Sequence, residues 1–293
     1  MKKISGSIGY VLLKDKNSEK YILVMSDIHS NQPYCDSGIM IDDYLKISNT
    51  TYNNIILEEV SRRGVKLEPL WSDALHTVKL KNYFLDNNSE LSENKKIIPI
   101  DIRPYLVPFS WEILTNNNVE ERKKNITLKN FLTKINLFFN IFNNELNMKP
   151  IKSFLDQILF YIQLKVQQDT GIYQHYKSLQ EYYYKFINDN SNLMESRLID
   201  VLNNNVKVLH EISQILSFII EWFTILQIFS NTKNSIIHSG LAHTSNIVIT
   251  LKKHYNFEEI EKKGVTKFDP IFLKDDITSC IELSQNILNI FNR

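Results

Sequence analysis

Histidine, aspartate and glutamate residues follow four apolar runs of this sequence. Imidazole and carboxylate groups both bind divalent metals and both transfer protons, so these residue types suit a metal site or an acid-base site. We interpret the four segments as parts of one site. The candidate residues are Asp27 and His29, Glu58 and Glu59, Asp101 and Arg103, and His238 and His243.

Asp27 and His29 come directly after the apolar run at 20–25. Residues two positions apart project to the same side of an extended backbone, so both side chains are expected to reach one ligand. The alternative is that Asp27 caps the following helix and His29 is an ordinary polar loop residue.

Glu58 and Glu59 end the next apolar run. Adjacent strand residues point to opposite sides, so we expect only one of these acids to face the site. Arg62 and Arg63 follow closely and would neutralise the other. A surface ion-pair cluster is the alternative interpretation of this segment.

Asp101 and Arg103 are again two residues apart and are expected to share a side of their strand. We favour a pairing of Arg103 with Asp101, and we retain Asp101 as a candidate. The segment from His238 to His243 is the sharpest of the four, because Gly240 permits close approach of the backbone to a ligand between two imidazoles.

The remaining histidines lie in helical or surface-like contexts and are assigned to structure rather than to the site. They are His76, His175, His210 and His254.

Short β-branched and apolar runs position these candidates. Residues 7–14 and 20–25 flank a polar turn and predict an N-terminal β-hairpin. Further strands are predicted at 54–59, 96–103 and 235–238. The candidate residues therefore fall where predicted strands end.

Helices are predicted between the strands, over 39–47, from about 72 to 84, and from about 276 to 291. Strands that alternate with helices favour an α/β fold with a mainly parallel central sheet and flanking helices. Ligands of such sheets bind at the carboxyl ends of the strands, where the candidate residues fall.

From about Thr127 to Ser230 apolar residues recur at helical spacing and no strand-like run interrupts them. This pattern predicts a large helical insertion. We predict one α/β domain over 1–293, with a core from 1–112 and 234–293 and the insertion at 113–233.

The apolar stretch at 206–229 is long enough to cross a membrane. It contains Glu211 and Glu221, and a charge near the centre of the bilayer costs about 3 kcal/mol. We predict a helix buried within the protein and no membrane span.

Composition narrows the function classes. The 34 basic and 33 acidic residues leave a net charge of +1, which lacks the basic footprint of a nucleic-acid-binding protein. Only Cys35 and Cys280 are present, too few for a disulfide scaffold, and residues 1–7 lead into no signal-peptide core. These features predict a cytoplasmic protein without nucleic-acid partners. No base is indicated near Cys35, so we assign it no nucleophilic role.

Three segments carry a resemblance to the TraB/Tiki and erythromycin-esterase-like (ChaN-like) superfamily. Its pattern has a G-x-x-H after the first strand, an acid after the second and another G-x-x-H near the end, and Ser26 replaces the first glycine here. The composition and residues 101–105 are also similar to uncharacterised proteins of large DNA viruses, which would place the protein in host cytoplasm or virion. The matching segments are Ser26–His29, Ile56–Glu59 with Arg62, and Gly240–His243.

This resemblance implies a hydrolase, either metal-assisted or His/Glu-assisted, that acts on a small-molecule or peptide substrate. The catalytic residues would be His29, Glu58, Asp101 and His243, and a divalent metal would be held by His29, Glu58 and His243. A second layer would orient these side chains. It comprises Asp27, Glu59, Arg103 and His238.

Two alternatives stay open. The missing first glycine favours a catalytically inactive binding or virion-associated protein. The segment Ser26–Asn31 also looks like the D-x-H opening of calcineurin-like metallophosphoesterases. That family closes with G-H-x-H, whereas Leu241 stands at the position of its first histidine, so a degenerate metallophosphoesterase ranks below the hydrolase reading.

Overall fold

The computed structural model of the chain describes residues 2–30, 32–60, 74–87, 97–108, 125–142, 153–166, 169–269 and 277–292. These residues form two compact units. The first comprises Met1–Ser61, Trp71–Asp101 and Gln227–Arg293, and the second comprises Arg62–Leu70 and Ile102–Leu226. The second unit thus begins before residue 113 and ends before residue 233, the two limits of the predicted insertion.

The described part of the first unit contains nine strands. They are β1 (Lys2–Ser5), β2 (Gly9–Asp15), β3 (Tyr21–Asp27), β4 (Ile39–Met40), β5 (Asn53–Leu57), β6 (Ile97–Pro99), β7 (Asn234–Gly240), β8 (Phe257–Gly264) and β9 (Cys280–Leu283).

Ten α-helices accompany these strands in the described residues. They are α1 (Ile41–Ser48), α2 (Leu75–Asn87), α3 (Arg103–Leu106), α4 (Leu128–Phe139), α5 (Phe154–Val166), α6 (Thr170–Asp189), α7 (Leu198–Asn204), α8 (Val206–Phe229), α9 (Leu241–His254) and α10 (Gln285–Phe291).

The larger sheet is mixed and has the order β6-β5-β7-β3-β2-β8. Strands β6, β5, β7 and β3 are parallel to one another, whereas β2 pairs antiparallel with both β3 and β8. Strands β3, β5 and β7 are buried along most of their length, because parallel strands covered on both faces carry continuous apolar runs. The predicted α/β class is confirmed, and the sheet is mixed.

A smaller sheet has the order β4-β1-β9, with β1 parallel to β4 and antiparallel to β9. The Cys35–Cys280 disulfide joins the segment before β4 to the first residue of β9. The two cysteines are therefore bonded to each other, which the argument from cysteine number did not anticipate.

The second unit is helical and contains α3 to α7 and most of α8. Aromatic side chains fill its interior: Phe139 stacks on Tyr183 with ring centroids 4.4 Å apart, and Trp222 lies 5.3 Å from Tyr176. Helix α8 is long and apolar enough to cross a membrane, but 72% of its most apolar stretch is buried inside the structure. This burial is consistent with the predicted core helix.

Several element limits differ from the sequence-based expectations. The strand predicted at 96–103 ends at Pro99, and Arg103 instead opens α3, so Asp101 and Arg103 do not share a strand face. The helix predicted from about 276 begins at Gln285, because β9 occupies Cys280–Leu283 and the Ser284 side chain caps the helix by accepting a hydrogen bond from Ile287 N. The start of the helix predicted at 72–84 lies outside the described residues.

Candidate active site

The sheet order brings three strand ends together. Asp27, the last residue of β3, pairs with Gly240 at the end of β7, and Leu57 at the end of β5 pairs with His238 of β7. Glu58 continues from β5 and donates its backbone N–H to the carbonyl of His238 at 3.1 Å. The carboxyl ends of parallel strands form the usual ligand edge of such sheets.

Asp27 lies between two histidines and is fully buried. His29 Nδ1 is 2.8 Å from Asp27 Oδ2, and His76 Nε2 is 2.9 Å from both carboxylate oxygens. His29 has a φ of 50°, so its backbone is left-handed rather than extended. His29 therefore contacts Asp27 from a turn after β3. From the sequence we expected both residues to lie in extended backbone.

Glu58 lies between His29 and His243 and is also buried. Its Oε2 is 3.6 Å from His29 Nε2, and its Oε1 is 3.6 Å from His243 Nε2. Two further donors hold Oε2: the Ser239 hydroxyl at 2.6 Å and Gly240 N at 2.8 Å. His243 lies in the first turn of α9 rather than at a strand end.

These contacts form a continuous series of alternating imidazole and carboxylate groups, which we call the imidazole–carboxylate chain. Its members, in order, are His76, Asp27, His29, Glu58 and His243.

Gly240 lies directly against the imidazole–carboxylate chain. A Cβ atom there would lie 3.1 Å from His29 Nε2 and 3.4 Å from Glu58 Oε2. A side chain would therefore crowd the contact between the histidine and the glutamate. From the sequence we expected a ligand to approach the backbone at Gly240. In the structure the side chains of His29 and Glu58 lie there.

Neighbouring side chains and burial determine the charges of His29 and Asp27. Burial opposes a charge on His29, but the carboxylates of Asp27 and Glu58 outweigh burial and raise its pKa from 6.5 to about 10. Burial also opposes ionisation of Asp27, but contacts with His29 and His76 hold its pKa well below the ordinary value. His29 is therefore an imidazolium and Asp27 a carboxylate at neutral pH.

A pocket lies beside the chain. Asp27, His29 and Glu58 line one part of it. The remaining lining residues are Leu57, Glu59, Thr77, Leu80 and His238. The His29 side chain is 22% exposed, compared with 3% for Glu58, so the imidazolium is the more accessible of the two.

The other predicted residues occupy different positions. His238 is buried and its Nε2 bonds to the carbonyl of Gly6 at 2.9 Å, and burial lowers its pKa. Glu59 lines the pocket. Asp101 is buried and donates its backbone N–H to Glu59 O at 3.1 Å, but it is not among the pocket-lining residues.

Sequence reasoning missed His76 and Ser239. His76 was assigned to structure because it lies on a helix, yet its ring is fully buried against Asp27. Its position carried a signal: α2 follows β5, and the first turn of a helix after a parallel strand lies near the carboxyl edge of the sheet. Ser239 adjoins the Gly240–His243 segment and gave no separate signal.

The metal site predicted at His29, Glu58 and His243 stays a prediction. Among the described residues, no three His, Cys, Asp or Glu side chains are arranged to hold a metal ion. Both ring nitrogens of His29 lie against carboxylates, and Glu58 Oε2 already accepts two hydrogen bonds. In this arrangement the side chains compensate one another's charges.

Comparison of the chain with protein-family models, with curated proteins and with solved structures finds no match.

Proposed function

We propose that the protein is a hydrolase of the TraB/Tiki and erythromycin-esterase-like type, with His/Glu-assisted chemistry at the imidazole–carboxylate chain. The observation that carries the proposal is the position of Glu58 between His29 and His243 beside the pocket. The same two histidines end the two motif segments on which the resemblance rests.

Glu58 and His243 supply the base in this proposal. A carboxylate next to an imidazole takes a proton from water and shares it with the ring, and acid-base catalysis of this kind contributes about 10²–10⁴-fold. Glu58 Oε1 lies 3.6 Å from His243 Nε2, so this oxygen and the imidazole can share a proton. The attacking water would lie at this oxygen.

His29 supplies positive charge. Its pKa of about 10 makes it a weak proton donor at neutral pH but a persistent imidazolium. A fixed cation in a pocket stabilises negative charge as it develops on a substrate oxygen. Asp27 keeps the ring charged and oriented, and it does not exchange protons because its own pKa is held low.

In this proposal the substrate is a small molecule or peptide whose carbonyl reaches His29. Metal-assisted hydrolysis by the same residues is the competing form of this proposal. An inactive binding or virion-associated protein is the second candidate, favoured by the burial of Glu58 and by Ser26 in the first motif.

The test is a screen of the full chain against ester, peptide and phosphoester substrates, with and without a chelator. Glu58→Gln and His243→Ala should each lower turnover by about 10²–10⁴-fold. The matched control is Asp42→Asn, which changes a buried acid paired with Lys46 on α1 and should leave turnover unchanged.

Chelator-resistant turnover that Glu58→Gln abolishes supports the His/Glu form. Loss of turnover in chelator, restored by one added divalent metal, would favour the metal-assisted form. No turnover on any substrate, together with lower melting temperatures of both site variants, would favour the binding protein.

A further inference from the structure

A second layer of contacts lies behind Asp27. The Tyr34 hydroxyl is 2.9 Å from His76 Nδ1, and the two rings meet edge to face with centroids 5.9 Å apart. The same hydroxyl is 3.4 Å from the backbone N of His76. That N–H lies in the first turn of α2, where amides lack helical partners.

These contacts define the tautomer of His76. An ionised carboxylate only accepts hydrogen bonds, so the His76 Nε2 that faces Asp27 carries a hydrogen. In the neutral ring Nδ1 is then an acceptor, and the Tyr34 hydroxyl donates to it while accepting from the backbone N–H. Asp27 therefore selects this tautomer, and the Tyr34 hydroxyl at Nδ1 holds the ring in the matching orientation.

The segment that carries Tyr34 is held by a covalent tie. Its described residues between Ile28 and Gly38 form no helix or strand. Cys35 forms the disulfide with Cys280, and the carbonyl of Pro33 accepts from Ser279 N at 2.9 Å. Cys35 N donates to the Ser5 hydroxyl at 3.1 Å.

We propose that Tyr34 and His76 are positioning residues of the site, and that the Cys35–Cys280 disulfide holds them against Asp27. The proposal rests on the proposed function for its kinetic consequence, because Asp27 orients the His29 imidazolium. Its structural consequence, the fixed position of the Tyr34 segment, is independent of any activity.

The disulfide is open to reduction because both cysteines are half-buried. A dithiol reductant gives two electrons and two protons to the S–S bond, which becomes two thiols, and the reductant is oxidised to its own disulfide. The contacts of Pro33, Tyr34 and the Cys35 amide would remain, without the covalent bond to β9. Released from β9, Tyr34 would leave His76 more often.

The kinetic test uses the full chain and the substrate found in the screen. Tyr34→Phe, which removes the hydroxyl and keeps the ring, should lower kcat by about tenfold and leave KM unchanged. His76→Leu should lower kcat further, and His76→Gln should recover much of the loss because its amide donates to Asp27. The C35S/C280S double variant should match Tyr34→Phe. The control is Tyr52→Phe, at a side chain that is 68% exposed.

The structural test is amide hydrogen exchange, which needs no substrate. Reduction, or the C35S/C280S change, should raise exchange by about tenfold or more in residues 32–38 and at His76, and leave β3 and β7 unchanged. Tyr34→Phe should raise exchange at the His76 amide alone.

The outcomes separate the two proposals. Faster exchange without any hydrolase activity keeps the disulfide tie and defeats the proposed function. Unchanged exchange after complete reduction overturns the tie. Equal kcat for wild type, Tyr34→Phe and His76→Leu overturns the positioning role, as does an equal loss in His76→Leu and His76→Gln.

Discussion

The two units of the molecule satisfy their buried polar groups in different ways. In the first unit charged side chains compensate one another. Asp27 lies against His29 and His76, and Glu58 lies between His29 and His243. In the helical unit two of the large buried side chains, Tyr176 and Trp222, are neutral and donate to backbone carbonyls. Tyr176 donates to Phe138 O at 2.7 Å, and Trp222 Nε1 donates to Ile172 O at 3.2 Å.

This difference shows that the type of partner, more than burial itself, distinguishes a candidate site from a core. A neutral donor on a backbone carbonyl fixes packing and does not titrate near neutral pH. A buried carboxylate beside an imidazolium is costly to place and depends on its partner for compensation. The neutral hydrogen bonds stabilise the helical unit. The paired charges of the first unit lie next to a pocket.

The largest expected effect is that of Asp27→Asn. The change removes the carboxylate that compensates the His29 imidazolium and that accepts a hydrogen bond from His76, so it should lower the free energy of unfolding by about 3–5 kcal/mol. Urea unfolding measures it. The control is Asp43→Asn, an exposed acid paired with Lys46, whose loss should cost less than about 1 kcal/mol. Equal losses in both variants would mean that the buried chain carries no special charge compensation.

The sequence predicted the α/β class and the ends of two strands, next to Asp27 and Glu58, because apolar runs and the polar residues that interrupt them are local signals. These signals did not identify β8 (Phe257–Gly264), which pairs antiparallel with β2. That strand is rich in glutamate and lysine, has few apolar residues and lies at the sheet edge.

The site was predicted in part for the same reason. His29, Glu58 and His243 were proposed from their positions after apolar runs, and the structure places them in one series. His76 depends on the direction of α2, and the Cys35–Cys280 bond joins residues separated by 245 positions, so neither has a local signal. The cytoplasmic localisation stays a prediction, and this bond is the observation that weighs against a reducing compartment.

The second prediction concerns pH, and it compares wild type with Asp27→Asn. The folded pKa of His29 is raised from 6.5 to about 10, so its contribution to stability is full below pH 6.5 and is lost as pH rises through 10. The pKa of Asp27 is lowered from 3.8, so its contribution is full above 3.8 and is lost as pH falls.

The difference in unfolding free energy between the two proteins should therefore be largest between about pH 4 and 6.5 and shrink on both sides. Comparing the two proteins removes contributions that they share, such as Lys20, whose pKa burial lowers to about 8. Urea titrations at half-unit pH intervals supply the curve. A constant difference from pH 4 to 10 would show that His29 is not charged by Asp27.

A smaller effect is expected from Tyr176→Phe in the helical unit. This change removes the bond to Phe138 O and leaves a buried carbonyl without that donor, which should lower the free energy of unfolding by about 1 kcal/mol. The loss should be the same at pH 5 and pH 8, since no charge is involved. A loss that changes with pH between these values would remove the distinction between the two units.

The smallest effect, and one of opposite sign, is expected from Tyr183→Phe. The Tyr183 hydroxyl is buried and has no hydrogen-bond partner among the described residues, whereas its ring stacks on Phe139 at 4.4 Å. Phenylalanine keeps the stacking and removes the desolvated hydroxyl, so the free energy of unfolding should stay equal or rise by up to about 1 kcal/mol. Urea unfolding beside Tyr176→Phe, the matched change on the same helix, measures both signs in one experiment. A loss as large as that of Tyr176→Phe would show that the Tyr183 hydroxyl bonds to a buried water. The helical unit would then contain a polar site of its own.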